Sequence, residues 1–80
     1  MKNYSEKDMY SILKDVFPAA DIPEECKNLK LGDFDEWDSL GNFNFLLSVE
    51  EFYDIRFSVE GMSEIQSVEQ VRIFIEALNE

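Results

Sequence analysis

The run LGNFNFLLSVEEFY, Leu40 to Tyr53, constrains the fold of this chain more than any other stretch. At about 100° per residue its apolar side chains, Leu40, Phe43, Phe45, Leu46, Leu47, Val49, Phe52 and Tyr53, spread over most of a helix's circumference. The polar strip left between them is narrow: Gly41, Asn44, Ser48 and Glu51. A helix apolar nearly all round must be packed on several sides, which makes this one the central element of a helical core. Asp38 and Ser39, both good capping residues, start it, and it runs to about Asp54. Leu47 stands apart, because its azimuth lies beside Asn44 and Glu51 at the edge of the exposed strip.

Two further helices flank it. SEKD from Ser5 matches a capping pattern, and Met9, Ile12, Leu13, Val16 and Phe17 form one stripe that Pro18 ends. SVEQ from Ser67 is a capping box, followed by Val68, Val71, Phe74, Ile75 and Leu78 on one face. Between the central helix and the last one, Ser58 to Gln66 is a linking segment, with Gly61 as a breaker and Met62 and Ile65 as anchors of one short turn. No strand pattern competes. The expected fold is all-α, a small three-to-four-helix bundle over residues 1–80 as one domain, with a long loop between helices 1 and 2.

That loop, Pro18 to Trp37, contains Pro23, Gly32 and several Asp, with no sustained periodicity. Pro23 followed by Glu24 and Glu25 can open a single helical turn. A loop this long in a compact domain is functional or tied down by its own apolar residues, here Leu29, Leu31 and Phe34 packed on the core.

Composition excludes several functions. With 80 residues the core supplies only about 3 to 5 kcal/mol of net stability and leaves no room for a deep enzyme cleft. Apolar residues at 45% and aromatics at 14% still argue for a folded globule. Eighteen acids against seven bases give a formal charge of -11, and four of the acids, Asp33, Asp35, Glu36 and Asp38, fall in the six residues before Ser39. Such a field repels phosphate backbones and anionic headgroups and favours basic protein surfaces, so nucleic acid is not an expected partner and the charge disfavours self-association. A monomer is expected. The single Cys26 has no partner for an intramolecular disulfide, and the chain has no histidine; the cytoplasm is the compartment that fits. No apolar run approaches the roughly 18 residues of a membrane span, and MKNYSEKD lacks the apolar core of a signal peptide.

Ser39 has three readings: catalytic nucleophile, helix cap, or modification site. Without histidine only a lysine or a carboxylate could remove its proton, which argues against self-contained hydrolase chemistry. As a cap it contributes about 1 kcal/mol, a common role for serine. As a modification site it would set a phosphate ester against the unpaired N–H groups and the positive end of a helix dipole. Asp38 can cap the same helix, and its carboxylate could also help hold a metal ion beside an incoming phosphate. Trp37 and Phe34 read as loop anchors. GDFDEWDSLGNF fails as a calcium loop, since Asp38 stands where glycine is needed and Asn44 where glutamate is needed. Cys26 reads as a half-buried filler or an incidental surface thiol, and the adjacent Glu50 and Glu51 as a solvated face. No catalytic or metal-ligating set emerges.

WDSLGNFNFLLSVEEFYDIRFS, Trp37 to Ser58, followed by EIQSVEQVRIFI, Glu64 to Ile75, resembles an acyl carrier protein of the phosphopantetheine-binding superfamily. The Asp-Ser-Leu triplet opens an apolar helix that ends in an EEF-type segment, with a capped helix at the expected distance beyond it. With the first helix and the loop, the likeness covers essentially the whole chain. It implies that Ser39 receives a 4'-phosphopantetheine arm from coenzyme A through a separate, Mg-dependent phosphopantetheinyl transferase. The arm's thiol then carries an acyl or aminoacyl group as a thioester to loading enzymes, acyltransferases or synthases. The protein itself would catalyse nothing.

The resemblance also assigns positions. Asp38 precedes the attachment serine and Leu40 supplies the apolar residue after it. Gly41, Asn44, Leu47, Ser48 and Glu51 correspond to the partner-facing strip of the second helix. The family often places several acids there, whereas Gly41 and Asn44 are neutral and Arg56 adds a positive charge near the helix end. That implies a standalone carrier of a specialised route, such as polysaccharide decoration, a small secondary metabolite, or D-alanyl-type aminoacyl transfer. Phe43, Phe45, Phe52 and Phe74 are expected to fill the interior, so that the cargo is short or stays outside. The alternative is an unmodified protein-interaction module with the same fold, using Leu47 and the acidic surface.

Overall fold

The computed structural model describes residues 3–79. Four helices follow in order, α1 (Glu6–Val16), α2 (Ser39–Tyr53), α3 (Val59–Glu64) and α4 (Val68–Leu78). The fold is all-α, with one isolated antiparallel bridge between Lys30 and Ser67 among the described residues.

α1 packs on α2 through Met9, Ile12 and Leu13, with Phe17 buried just beyond its end. Ser5 occupies the N-cap position of α1, but its side chain makes no capping bond; its backbone N–H donates to the Tyr53 hydroxyl at 3.4 Å. α2 buries Gly41, Asn42, Phe45, Leu46, Val49 and Tyr53. It ends at Asp54, whose left-handed φ of 55° closes the helix, a conformation that Asp tolerates better than most residues. The Glu50 carboxylate, expected on a solvated face, accepts the Phe57 N–H at 2.7 Å and so ties down the chain leaving α2.

α3 contains Gly61, the expected breaker, because Ser58 Oγ caps the helix by accepting the Gly61 N–H at 2.9 Å. It buries no residue fully; its anchors are the half-buried Met62 and the buried Ile65 that follows it. α4 starts as expected, with the Ser67 hydroxyl accepting the Gln70 N–H at 3.1 Å and the Gln70 side chain accepting the Gln66 N–H at 2.8 Å. Val68, Val71 and Ile75 are buried, whereas Leu78 at the C-terminal end is exposed.

The loop from Phe17 to Asp38 is held by its own side chains and by α4's approach. Leu31 N–H donates to Gln66 O at 2.8 Å, and Val68 N–H donates to Leu29 O at 3.0 Å. Leu29, Leu31 and Phe34 pack half-buried on the core as expected. Pro23, Glu24 and Glu25 form no helical turn; the segment is pinned instead by Ile22 and Cys26, both buried. Cys26 is therefore a core residue, not a surface thiol, and its thiol donates to Glu6 O at 3.7 Å. Gly32, with φ of 97°, makes the turn that returns its N–H to Trp37 O at 2.9 Å, a torsion that side-chain-bearing residues rarely adopt.

Candidate functional site at the start of the second helix

Trp37 fixes where α2 begins. Its ring is fully buried, stacked on Phe17 at 5.3 Å and on Phe34 at 6.2 Å, with an edge contact to Phe45 at 5.2 Å. A buried indole N–H needs an acceptor, and Asn42 Oδ1 provides it at 3.0 Å. Asn42 Nδ2 in turn donates to Ile65 O at 2.9 Å. One buried amide thus joins the loop, α2 and the α3–α4 junction. Sequence reading passed over Asn42; the signal was an amide lying outside the polar strip of an apolar helix, five residues after a tryptophan that needed a partner.

Asp38 is the cap of α2, its Oδ1 accepting the Gly41 N–H at 2.8 Å. Ser39 is the first helical residue, so the cap reading of Ser39 is replaced by Asp38. The consequence is chemical: the Ser39 side chain is exposed and has no hydrogen-bond partner among the described residues. The N–H groups of Ser39 and Leu40 are likewise bonded to no other described residue. Orphan N–H groups at the positive end of a 15-residue helix suit an anion attached to that hydroxyl. Among the described residues no base is hydrogen-bonded to it.

The exposed face of α2 differs from the strip expected. Gly41, assigned to the partner face, is buried, because the chain at Glu36 crosses directly over it: a Cβ there would stand 2.1 Å from the Glu36 carbonyl oxygen. Asn44, Leu47 and Glu51 are exposed and Ser48 is half-buried. Leu40 (69% exposed), Phe43 (47%) and Leu47 join the open face, one apolar stripe at i, i+3 and i+7. Phe43 therefore does not fill the interior, and Phe52 and Phe74 do so only in part. The closed interior is made by Phe17, Trp37, Phe45 and Tyr53.

Ser39 opens onto a cleft of about 350 Å³ between the start of α2, the loop and α3. Its walls are Leu31, Phe43, Val59 and Met62, with Asn42, Ser63 and Gln66 as polar members. A larger depression of about 550 Å³, lined by Glu6, Lys7, Tyr10, Glu24 and Glu25, does not include Ser39. Tyr4, Cys26 and Tyr53 form a separate protonated cluster that does not line the cleft. Burial pushes the Cys26 thiol up to about 11, with the Glu6 charge adding to it, and burial first, then Cys26 and Glu6, pushes Tyr4 up to about 12. Burial also raises Tyr53. Cys26 is accordingly no nucleophile at neutral pH.

Among the described residues no group of three or more His, Cys, Asp or Glu could hold a metal ion, and no helix is long and apolar enough to cross a membrane. No family model, curated protein or solved structure matches the chain.

Proposed function

We propose that this protein is an acyl carrier protein-like thioester carrier, a substrate for modification at Ser39 that presents a tethered acyl or aminoacyl group to other enzymes. The observation that carries the reading is the Ser39 hydroxyl: exposed, without a partner among the described residues because Asp38 holds the cap, and at the mouth of a cleft that α2 shares with α3. The resemblance of Trp37–Ser58 and Glu64–Ile75 to carrier proteins and the helix order agree with it.

In the modification step Ser39 Oγ forms a bond to the pantetheine-side phosphorus of coenzyme A. The phosphorus–oxygen bond to adenosine 3',5'-diphosphate breaks, and that diphosphate leaves with the electron pair. The hydroxyl proton passes to a base that a phosphopantetheinyl transferase must supply. Once attached, the 4'-phosphopantetheine arm supplies a thiol for thioester formation. The chain's own part is positional: Trp37, Asn42 and the Gly41–Glu36 crossing fix the start of α2, and its free N–H groups face the phosphodiester. The largely uncharged stripe Leu40, Phe43 and Leu47 supports partners of a specialised route, recognised by apolar contact with Asn44 and Glu51 beside it.

A second reading, an interaction module that is never modified, is favoured by that same apolar stripe. Intact mass after incubation with coenzyme A, Mg and a broad-specificity phosphopantetheinyl transferase separates the two. The carrier gains one phosphopantetheinyl unit and Ser39→Ala gains none. A folded wild-type sample that gains nothing beside a modified control carrier overturns the carrier reading in favour of the interaction module.

A further inference from the structure

Four hydrogen bonds around the start of α2 form a closed circuit. Leu31 N–H donates to Gln66 O at 2.8 Å, and the next residue, Gly32, donates its N–H to Trp37 O at 2.9 Å. The Trp37 indole N–H donates to Asn42 Oδ1 at 3.0 Å, and Asn42 Nδ2 donates to Ile65 O at 2.9 Å. Ile65 is joined to Gln66 by the chain itself, so the path returns to where it began. It passes through the loop, the start of α2 and the α3–α4 junction. Asn42 is its member on α2, and the Asn42 backbone N–H also donates to Asp38 O at 2.8 Å. Both residues that precede Ser39 are therefore held by Asn42, one by its side chain and one by its peptide.

The far side of the circuit is held too. Gln70 straddles the α3–α4 junction: its side-chain oxygen accepts the Gln66 N–H at 2.8 Å, and its side-chain nitrogen donates to Glu64 O at 3.0 Å. Trp37 is fully buried, and Asn42 and Ile65 are buried as well, so water competes little for the bonds between them. A buried polar network of this kind, once satisfied, holds one geometry. We infer that Asn42 is a positioning residue for Ser39 and that, through this circuit, the α3–α4 junction sets where the serine hydroxyl points when it is modified. The inference rests on the carrier reading and adds which residues, away from the reacting atoms, govern the rate. Asn42 acts by fixing Trp37 and Asp38, so that Ser39 Oγ meets the phosphorus of coenzyme A in line with the departing diphosphate. A misplacement of about 1 Å at such a centre costs up to roughly a hundredfold in rate. Loosening the junction at Gln70 reaches Ser39 by the same bonds, through Ile65 O and Asn42.

The test measures loading of Ser39 by a broad-specificity phosphopantetheinyl transferase, with kcat and the KM for the carrier determined separately. The samples are the wild type, Asn42→Ala, Trp37→Phe, Gln70→Ala and, as a control in the core of α4, Val71→Ala. Circular dichroism sets an assay temperature at which each is folded. The split decides between positioning and mere stability. A partly unfolded carrier only lowers the concentration of competent substrate, which raises the apparent KM at unchanged kcat, whereas a misdirected hydroxyl in a complex that still forms lowers kcat. The expected result is a kcat on the order of tenfold lower for Asn42→Ala, a smaller fall for Trp37→Phe and Gln70→Ala, and none for Val71→Ala. Gln70 gives the sharpest arm, since it is exposed and does not line the cleft at Ser39. Should Asn42→Ala not fold, Trp37→Phe and Gln70→Ala decide the matter alone. Variants of Asn42 and Trp37 that change only KM, Gln70→Ala loading at the wild-type kcat, or an equal fall in Val71→Ala each overturn the inference and leave the carrier reading standing. Wild-type protein that does not load overturns the carrier reading, and the inference falls with it.

Discussion

The carbonyl oxygen of Glu36 sits over Gly41 so closely that a Cβ on Gly41 would stand 2.1 Å from it and 3.1 Å from the Phe17 ring. Loop and helix meet backbone to backbone two residues after Ser39. No side chain can occupy that space without moving the peptide that delivers the serine. The residue after Leu40 is thus dictated by a crossing, not by the surface it was expected to face.

Gly41→Ala should therefore destabilise the protein even though alanine is the better helix former. Overpacking of this kind costs about 1–3 kcal/mol, and in a domain of this size each kcal/mol lowers Tm by about 4–8 °C. A thermal melt decides the matter: a Tm equal to or above that of the wild type would mean that the Glu36 peptide yields freely.

Asn42→Leu fits the helix but leaves the Trp37 N–H and the Ile65 carbonyl without their partners. Each orphaned buried group costs about 1–3 kcal/mol. The indole signal of Trp37 should shift in a proton NMR spectrum, and the urea midpoint should fall. Adding Trp37→Phe removes one of the two orphans and should cost less than the sum of the single changes. Strict additivity would show that the two side chains are not coupled.

The all-α class and the starts of α1, α2 and α4 were legible because apolar periodicity and capping residues are local signals. The exposed face of α2 was not. Periodicity alone placed Gly41, Asn44, Ser48 and Glu51 together, but which azimuth of α2 faces solvent depends on where the loop crosses, a contact between Glu36 and Gly41 that no helical pattern encodes. The same blindness hid Phe43: an apolar residue reads as core, and only the gap between α2 and α3 leaves it open. Asn42 was missed because its partners, Trp37 and Ile65, meet only after the chain has folded. Pro23-Glu24-Glu25 carried good helix-start chemistry, yet burial of Ile22 and Cys26 on either side decided its path.

Alkaline pH should loosen the protein by ionising groups that its core holds protonated. Cys26 is pushed up to about 11 and Tyr4 to about 12, and Tyr53 is also raised, each by burial. A thiol or phenol whose folded value lies above its unfolded one binds its proton more tightly in the folded state. Its contribution is complete below the unfolded value and is lost as pH rises through the folded one. Urea midpoints should hold steady up to about pH 9 and fall between about pH 9 and 12. Cys26→Ala should flatten the first part of that fall. Native Cys26 should also resist alkylation at pH 8 and react once the protein is unfolded; rapid labelling of the native protein would contradict its burial.

Asp38 holds two roles that substitution can separate. Its carboxylate caps α2 through the Gly41 N–H at 2.8 Å, and under the carrier reading its charge stands beside the attachment serine. Asp38→Ala removes both and should cost about 0.5–2 kcal/mol through the lost cap. Asp38→Asn keeps an oxygen in the capping position, so its melting curve should nearly match the wild type, while the charge is gone. The loading rate with coenzyme A and a transferase then assigns the second role. If Asn loads as slowly as Ala, the charge itself serves the transfer, as it would by helping the transferase hold its cation near the incoming phosphate. If Asn loads like the wild type and only Ala is slow, Asp38 acts by freeing Ser39 from the cap, and the geometry of the helix start alone makes the serine available.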